Sequence, residues 1–233
     1  MSRTQVGDKQ SERETGTVRI TVVLVEDHAL VRQAFRHVLE DDSRIEVVGE
    51  GRTGLDAVEL ARKLHPDVML LDMAMPELNG IEAAEQISRL DPNIRLMIVS
   101  IYSDEAHVRQ AFRIGVKGYV LKDALHIDLA QAVLTVAEGR PYLSPGVAAV
   151  LMDLAQGRQE SSAHDPYEML TQRERQILQM VAEGRSNKEV AQLLEITPKT
   201  VAIHRANLMR KLNVHGTAQL ALYAVKKGLV RAE

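Results

Sequence analysis

Two kinds of hydrophobic pattern follow each other along the chain. In the first part, short apolar runs rich in β-branched residues predict strands at 20–25, 45–49, 68–72, 95–100 and 118–121. Between them, apolar positions spaced three or four apart predict helices at about 29–39, 53–64, 80–90, 104–114 and 126–138. Strands that alternate with helices are typical of an α/β domain with a parallel sheet and right-handed crossovers.

The pattern after residue 140 is helical only. Gly139-Arg140-Pro141 stops the last helix of the first part, and Ser144-Pro145 caps a short helix at about 146–154. Residues 156–165 are polar without periodicity, which predicts a linker. Beyond the linker, three helix starts carry capping signals: Thr171 with Glu174, Ser186 with Glu189, and Thr197 before Pro198. Two short capped helices joined by a three-residue turn predict a helix-turn-helix, although spacing alone also fits an ordinary helical hairpin.

Acidic residues follow two of the predicted strands. Glu26 and Asp27 come directly after the first strand, and Asp72 ends the third. If these strands are parallel neighbours, the three carboxylates meet at one edge of the sheet, where their mutual repulsion favours a hard divalent cation such as Mg2+. Ser100 ends the fourth strand and Lys122 follows the fifth. A hydroxyl and an ammonium beside a metal and a carboxylate suit a phosphoryl group on Asp72, which predicts an aspartyl phosphate.

With these residues in place, the segment from Ile20 to about Glu138 resembles the receiver domain of bacterial two-component response regulators. Its ending, Gly118-Tyr119-Val120-Leu121-Lys122-Asp123-Ala124, is similar to the NarL/FixJ subgroup. The resemblance implies a flavodoxin-like sheet of five parallel strands in the order 2-1-3-4-5, with Asp72 as phosphoacceptor and Ser100 and Lys122 as phosphoryl contacts. It also implies Ser100 and Tyr119 as switch residues, and Mg2+ held by Glu26, Asp27, Asp72 and the backbone carbonyl of Ala74. The first acid is Glu rather than the commoner Asp, and Asp123 stands where many receivers carry a cis-proline.

The segment 168–230 looks like the LuxR-type DNA-binding domain, an all-α unit of four helices. The resemblance rests on Leu170-Thr171-Gln172-Arg173-Glu174, on Gly184 to Ala191, on Lys199 to His204, and on Asn207 to Leu212. It implies DNA contacts from one cluster of residues: Lys188, Thr197, Lys199, Thr200, Ala202, Ile203, His204, Arg205, Asn207 and Lys211.

Helical geometry divides the predicted recognition helix into two faces. Val201, Leu208 and Leu212 share one stripe and should be core. Ala202, Ile203 and Ala206 lie away from it, where the family resemblance turns them to the major groove and their alkyl groups could touch thymine methyls. The charged and polar members of the cluster would mostly hold phosphates, while His204 has a core or capping role as an alternative.

Composition narrows the classes of protein that fit. The chain has no cysteine, no apolar run of about 18 residues and no signal-peptide core, so we expect a cytoplasmic protein. Charge is uneven: residues 165–233 carry 11 Lys and Arg against 7 Asp and Glu, whereas residues 1–164 carry 18 against 25. A basic second part behind an acidic first part indicates that only the second part meets a polyanion.

Four segments are therefore expected: a disordered extension at 1–17, a receiver at 18–139, a short helix and linker at 140–166, and a helix-turn-helix domain at 167–233. The expected function is a transcriptional response regulator, phosphorylated on Asp72 by a sensor histidine kinase to control homodimerisation and promoter binding. Double-stranded DNA is the main partner and RNA polymerase a further candidate. We expect no dedicated enzyme activity beyond slow self-dephosphorylation.

Two alternatives remain open on the sequence. In one, the receiver no longer accepts phosphate and serves only for dimerisation of a DNA-binding protein. In the other, the chain is a phosphohydrolase that uses Asp72 as nucleophile. Hydrolases of the haloacid-dehalogenase type need a second acid two residues after the nucleophile, and that position is Ala74 here.

Overall fold

The computed structural model describes residues 19–103, 105–122, 129–155 and 166–230. The expected extension at 1–17 and the linker at 156–165 lie outside the described residues. Within them, a parallel sheet is formed by β1 (Ile20–Val25), β2 (Ile45–Gly51), β3 (Val68–Asp72), β4 (Arg95–Ser100), β5 (Gly118–Leu121) and β6 (Tyr142–Leu143). The strand order is β2-β1-β3-β4-β5-β6, which contains the predicted order 2-1-3-4-5.

Helices cover both faces of the sheet. They are α1 (Ala29–Glu40), α2 (Gly54–Leu64), α3 (Gly80–Leu90), α4 (Glu105–Arg113), α5 (Leu129–Ala137) and α6 (Pro145–Ala155). Alternate residues of each inner strand enter different cores: Met69 and Leu71 pack with α2, α3 and α4, whereas Val68 and Leu70 pack with α1 and α5. Since β3 is buried on both faces, its sequence is continuously apolar until Asp72.

The sixth strand was not predicted from the sequence. Tyr142 donates its backbone N–H to the Lys117 carbonyl, and Ser144 donates to the Tyr119 carbonyl, so the chain after α5 runs beside β5. A strand of two half-buried residues is too short to show the alternation of apolar and polar positions that predicts a strand. The structure describes α5 from Leu129, and the predicted start of this helix at about residue 126 lies outside the described residues.

The C-terminal domain is helical, as predicted. A 3₁₀ helix (Pro166–Met169) precedes α7 (Gln172–Ala182), α8 (Asn187–Leu193), α9 (Pro198–Leu212) and α10 (Thr217–Lys226). The capping boxes of Thr171 with Glu174 and of Ser186 with Glu189 are formed, and Thr197 caps α9 before Pro198. These caps satisfy helix N-terminal amides that would otherwise lack partners, and they fix where α7, α8 and α9 begin.

The two domains contact each other at the carboxyl edge of the sheet. Tyr167 and Arg175 both reach the Glu82 carboxylate at the start of α3, with Oε1 distances of 3.1 and 3.2 Å. The His107 ring nitrogen of α4 lies 2.9 Å from the Lys227 carbonyl after α10. The described helices include none that is long and apolar enough to cross a membrane.

Candidate functional site

The end of β3 brings three of the predicted site residues together. Asp72 is 3% exposed and lies between β1 and β4 in the sheet. The Lys122 ammonium, just after β5, lies 2.7 Å from Glu26 Oε2 and 3.0 Å from Asp72 Oδ1. Strand ends that are distant in sequence therefore meet at one edge, where open α/β sheets bind ligands.

The charge at this edge is not balanced by Lys122 alone. Glu26 is 1% exposed, and burial followed by the charge of Asp72 raises its pKa, although the bond from Lys122 acts in the opposite direction. Asp27, the third carboxylate, is partly exposed. Two buried carboxylates and a third beside them exceed one ammonium, so the donor set fits a hard divalent cation.

His28 is a neighbour of this site that sequence reasoning missed. Its Nδ1 lies 2.9 Å from Asp27 Oδ1 and 3.4 Å from Glu26 Oε1. Among the described residues, ligand atoms of Glu26, Asp27 and His28 lie within 4.8 Å of one another, whereas Asp72 is joined to Glu26 through Lys122. Lys122 lies between the two buried carboxylates. The carboxylate oxygens of the predicted metal ligands Glu26, Asp27 and Asp72 therefore do not converge on one position. The signal for His28 was only its position next to the acidic pair.

The loop from β3 to α3 runs close to the strand that it leaves. Gly80 donates to the Met73 carbonyl at 2.8 Å, and a Cβ at Gly80 would lie 2.1 Å from the Asp72 carbonyl oxygen. Only glycine allows this approach. Asn79 caps α3 by accepting from Glu82 N. The fold therefore returns the loop to Asp72 and keeps Ala74, the predicted carbonyl ligand, near the acidic edge.

The two predicted switch residues share a neighbour that was not predicted, Tyr102. Ser100 Oγ accepts from Tyr102 N at 2.9 Å and contacts Met73 Sδ at 3.4 Å. Tyr119 is fully buried and donates its hydroxyl to the Tyr102 carbonyl at 2.8 Å. Tyr102 also stacks on His107, which contacts the C-terminal domain. Contacts through Tyr102 and His107 therefore connect Ser100 and Tyr119 with the C-terminal domain.

The recognition helix α9 has the predicted division into faces. Val201, Leu208 and Leu212 are buried, and Ile203 is 54% exposed. Other exposed members of the predicted DNA-binding cluster are Lys188, Thr197, Lys199 and Ala202, while Thr200, His204, Arg205 and Asn207 are half-buried. The structure therefore leaves the predicted groove-facing side of α9 uncovered by the N-terminal domain.

Lys211, a predicted DNA contact, also has partners within its own domain. Its ammonium lies 2.7 Å from Glu174 Oε2 and 3.1 Å from the Met169 carbonyl, so it joins α9 to the start of α7. This pairing gives Lys211 a structural role beside the predicted contact with DNA. Arg205 is also engaged, because it donates to Asn187 Oδ1 and Thr217 Oγ1 and thereby links three helices.

Comparison with known proteins agrees with both halves of this description. The family model described as response regulator receiver domain matches residues 22–134, and the model described as bacterial regulatory proteins, luxR family, matches residues 168–224. The transcriptional regulatory protein DegU of Brevibacillus brevis is 34% identical over 226 residues, covering 91% of this chain and 96% of DegU. The chain belongs to the LuxR-type response regulators.

Two further relatives support this membership. The response regulator UvrY of Escherichia coli K12 is 35% identical over 214 residues and covers 92% of this chain and 97% of UvrY. A solved structure of the RcsB response regulator of Salmonella typhimurium has a TM-score of 0.55 at 24% identity, with 90% of this chain and 99% of RcsB covered, and it shows a shared fold. The predicted family, fold class and function as a DNA-binding transcriptional response regulator are thus confirmed. As a member of this class, the protein is not a dedicated enzyme.

Proposed function

We propose that Asp72 is the phosphoacceptor of this response regulator and that a sensor histidine kinase is its phosphodonor. An Asp72 carboxylate oxygen attacks phosphorus, the bond from phosphorus to the donor nitrogen breaks, and the nitrogen leaves with its electron pair and takes a proton. The observation that carries this proposal is the Lys122 ammonium, which touches both Asp72 and Glu26 at the edge of the sheet.

Lys122 and Ser100 are the proposed contacts of the phosphoryl group. Once Asp72 is phosphorylated, the Lys122 ammonium can pair with a phosphoryl oxygen while it stays beside Asp72. The Ser100 hydroxyl can donate to a second oxygen if it turns away from Met73 Sδ. Because Tyr102 N and Tyr102 O bond to Ser100 and Tyr119, we propose that these two residues change position together.

The proposed cation is Mg2+, held by the carboxylates of Glu26, Asp27 and Asp72 and by the Ala74 carbonyl. Receiver domains of this family generally bind Mg2+ at their acidic pocket. A divalent cation held by these residues would supply positive charge beside the transferring phosphoryl group. Lys122 would keep a carboxylate partner, Asp72, if Glu26 became a ligand of the cation.

Phosphorylation is proposed to control homodimerisation and promoter binding by residues 167–233. The exposed face of α9, with Ala202, Ile203 and Ala206, would enter the major groove of double-stranded DNA. Exposed Lys188 and Lys199 would hold phosphates on either side. We further propose a cytoplasmic location, RNA polymerase as a partner, slow self-dephosphorylation of Asp72, and a receiver that extends over 18–139.

Phosphotransfer from acetyl phosphate, with and without Mg2+, tests this proposal. We expect the full chain to take up one phosphoryl group in the presence of Mg2+, and Asp72→Asn to take up none while its melting temperature is kept. Stoichiometric labelling of the Asn variant would refute Asp72. An unlabelled wild-type chain that still binds DNA as a dimer would favour a receiver that works without phosphate.

A further inference from the structure

A charged residue lies on the face of α1 that packs against the sheet. Arg32, Phe35 and Leu39 are the buried residues of this helix, and Arg32 is only 7% exposed. An arginine is seldom buried unless its charge is paired and its N–H groups are hydrogen-bonded. The partners of Arg32 therefore indicate why a charge is kept at this position.

The Arg32 guanidinium joins the acidic edge to a neighbouring strand. Its Nη1 donates to the Glu26 carbonyl oxygen at 2.6 Å, and its Nε donates to Glu50 Oε2 of β2 at 3.2 Å. The backbone N–H of Arg32 also donates to the His28 carbonyl at 3.0 Å, at the start of α1. Arg32 therefore binds both ends of the turn that runs from Glu26 to His28.

This turn is held differently from the turn that precedes α2. There, the Thr53 side chain accepts from a helix amide and caps the helix. The His28 side chain, at the corresponding place before α1, makes no such capping bond. On the β1 side, the Glu26 N–H donates to the Gly51 carbonyl at 3.1 Å. On the α1 side, it is the side chain of Arg32 that reaches back to the turn.

The same turn carries the acid pair of the phosphoacceptor edge. The Glu26 carboxylate bonds Lys122, and Asp27 is the next residue. Because Gly51 binds the N–H of Glu26 and Arg32 binds its carbonyl, both backbone torsions of Glu26 are restricted. A peptide group is planar, so the Cα of Asp27 lies in the plane of the carbonyl that Arg32 binds. The bond from Arg32 thus bears on the placement of both acids.

Glu50 pairs with a second arginine of α1 that does not take part in the turn. Arg36 lies one helical turn after Arg32, bonds Glu50 Oε1 and pairs with Glu40 at 2.9 Å. Its side chain is 46% exposed, and its partners in the described part of the chain are these two carboxylates. Arg32 and Arg36 therefore share a charge and a partner, and of the two it is Arg32 that reaches the Glu26 carbonyl.

We propose that Arg32 is a positioning residue for the acid pair. Its buried guanidinium holds the turn that carries Glu26 and Asp27, and thereby strengthens the binding of the divalent cation. This inference rests on the proposed function, and in particular on the acid pair as cation ligands. Arg32 acts through the Glu26 carbonyl and is itself neither a ligand of the cation nor a contact of the phosphoryl group.

The charge of Arg32 gives the test a clear sign. A guanidinium beside the acidic edge repels a cation, so loss of this charge alone would tighten cation binding. Loss of the bond to Glu26 frees the turn, and cation binding must then restore its order, which weakens the affinity. A weaker affinity after removal of the positive charge therefore reports positioning and not electrostatics.

The test is a calorimetric titration of Mg2+ into the full chain and its variants, without a phosphodonor. Arg32→Met keeps an unbranched apolar stem in the core but removes both side-chain bonds. It should weaken Mg2+ binding about tenfold, the lower end for partners that orient metal ligands. Arg32→Lys keeps the charge and can replace one bond, so its loss should be smaller. Arg36→Met removes the same charge from the same helix and should stay within about twofold of the wild type, since an exposed charge is largely screened by salt.

A second measurement reports on the turn itself. The chemical shift of the Asp27 amide nitrogen responds to hydrogen bonding at the Glu26 carbonyl, because both atoms belong to one peptide group. Without Mg2+, this shift should change in Arg32→Met and should be kept in Arg36→Met. Thermal melting measures the loss of stability separately. If Arg32→Met does not fold, Arg32→Lys takes its place in every comparison.

Two results would overturn the inference. One is unchanged or tighter Mg2+ binding in the folded Arg32 variant. The other is an equal loss of affinity in Arg36→Met, which would assign the effect to Glu50 or to charge.

The outcomes also distinguish the inference from the proposed function. If Arg32→Met binds Mg2+ more weakly than the wild type but acetyl phosphate labels neither, the positioning role stands and the assignment of Asp72 fails. If Asp72 is labelled in the wild type and Arg32→Met keeps the wild-type Mg2+ affinity, the phosphoacceptor stands and the positioning role is refuted. If the wild type binds no Mg2+, the inference is overturned, and labelling of Asp72 without Mg2+ decides the phosphoacceptor separately.

Discussion

One ammonium group, that of Lys122, lies between two buried carboxylates at the phosphoacceptor edge. Lys122 touches Glu26 and Asp72, while Asp27 turns to His28. The raised pKa of Glu26, caused by burial and then by Asp72, indicates that the remaining negative charge is costly. The clustered carboxylates, whose repulsion is unfavourable without a cation, therefore favour the binding of a cation.

Converting Glu26→Gln together with Asp27→Asn should reduce Mg2+ affinity and slow phosphotransfer by about one hundredfold, because carboxylate ligands of the cation are lost. Calorimetry and labelling by acetyl phosphate measure the two effects. The melting temperature without Mg2+ should not fall, since the change relieves repulsion around Glu26. Full Mg2+-dependent labelling of the double variant would show that the cation is held elsewhere.

Lys211→Met should lower the stability of the C-terminal domain by about 1 kcal/mol at pH 7, the upper end for an ion pair whose lysine is partly exposed. Burial alone would raise the pKa of Glu174, but the bonds from Lys211 and Thr171 outweigh burial and lower it. A lowered pKa means that the stabilisation is complete above the unfolded value of 4.5 and is lost as pH falls through the folded value.

Urea unfolding of the wild type and Lys211→Met at pH 7 and pH 3 tests this expectation. The difference between them should be present at pH 7 and should shrink at pH 3. Specific DNA affinity of the folded variant should change little. A large loss of DNA affinity with unchanged stability would instead show that Lys211 acts as a DNA contact and not as a structural residue.

Residues that end strands could be located from the sequence, whereas their neighbours could not. Asp72 and Lys122 close apolar runs, so the parallel sheet brings them to one edge. The contacts of His28 and Tyr102 depend on side-chain torsions and on the path of loops, which leave no periodic signal. Lys211 is predicted to contact DNA because a basic residue on a recognition helix usually faces phosphate. Its pairing with Glu174 could not be predicted, because Glu174 belongs to another helix.

At the scale of elements, α9 packs into the domain core with one face and leaves another face exposed. Thr197 and Pro198 fix its start, and Val201, Leu208 and Leu212 anchor it in the core. This leaves Ile203 exposed on a face that also carries Lys199. A single exposed isoleucine is common on protein surfaces, and at this position its side chain suits contact with a thymine methyl group.

Ile203→Ala and Lys199→Ala should affect DNA binding differently. Ile203→Ala should relax preference at one base position by about 1 kcal/mol, because only an apolar contact is lost. Lys199→Ala should weaken binding to all sequences alike and flatten the slope of log affinity against log salt by about 0.9. Binding to a set of single-base variants at several salt concentrations measures both effects.

Thermal melting is the control for this pair, since an exposed side chain should contribute little to stability. Ile203→Ala should melt within a few degrees of the wild type. If the domain melts much earlier and base preference stays the same, Ile203 is a packing residue and the groove-facing side of α9 has been assigned wrongly.

Elements were predictable where local chemistry alone sets their limits. The capping pairs at Thr171, Ser186 and Thr197 gave the starts of α7, α8 and α9, because a cap acts within four residues. The strand β6 was not predicted, because its two residues pair with β5 only where the chain returns to the sheet after α5. The 3₁₀ helix at Pro166–Met169 is equally short, and it is positioned by the packing of Tyr167.

At the scale of the whole molecule, the two domains meet through polar groups that ordinarily face water. The buried Glu82 carboxylate accepts from Tyr167 and Arg175, and Arg175 also lies over the Tyr167 ring at 4.9 Å. The sequence does not indicate that these residues are partners, because a Glu, a Tyr or an Arg is equally common at ordinary surface positions. Their pairing depends on how two separately predictable domains fit together.

Acidification should strengthen domain docking. Burial, outweighing the attraction of Arg175, raises the pKa of Glu82 above 4.5, and burial likewise raises that of Glu183. Tyr167, Arg175 and Glu85 face Glu82, and undocking returns it towards water. Protons therefore bind the docked chain more tightly than the undocked chain. Docking should become more favourable as pH falls from 7 through the raised pKa values of Glu82 and Glu183 towards 4.5.

Small-angle scattering tests this expectation. The radius of gyration should be smaller at pH 5 than at pH 7, and Glu82→Gln should remove most of the difference. A wild-type chain that expands on acidification would contradict this coupling, because the sign follows from Glu82 and Glu183 together.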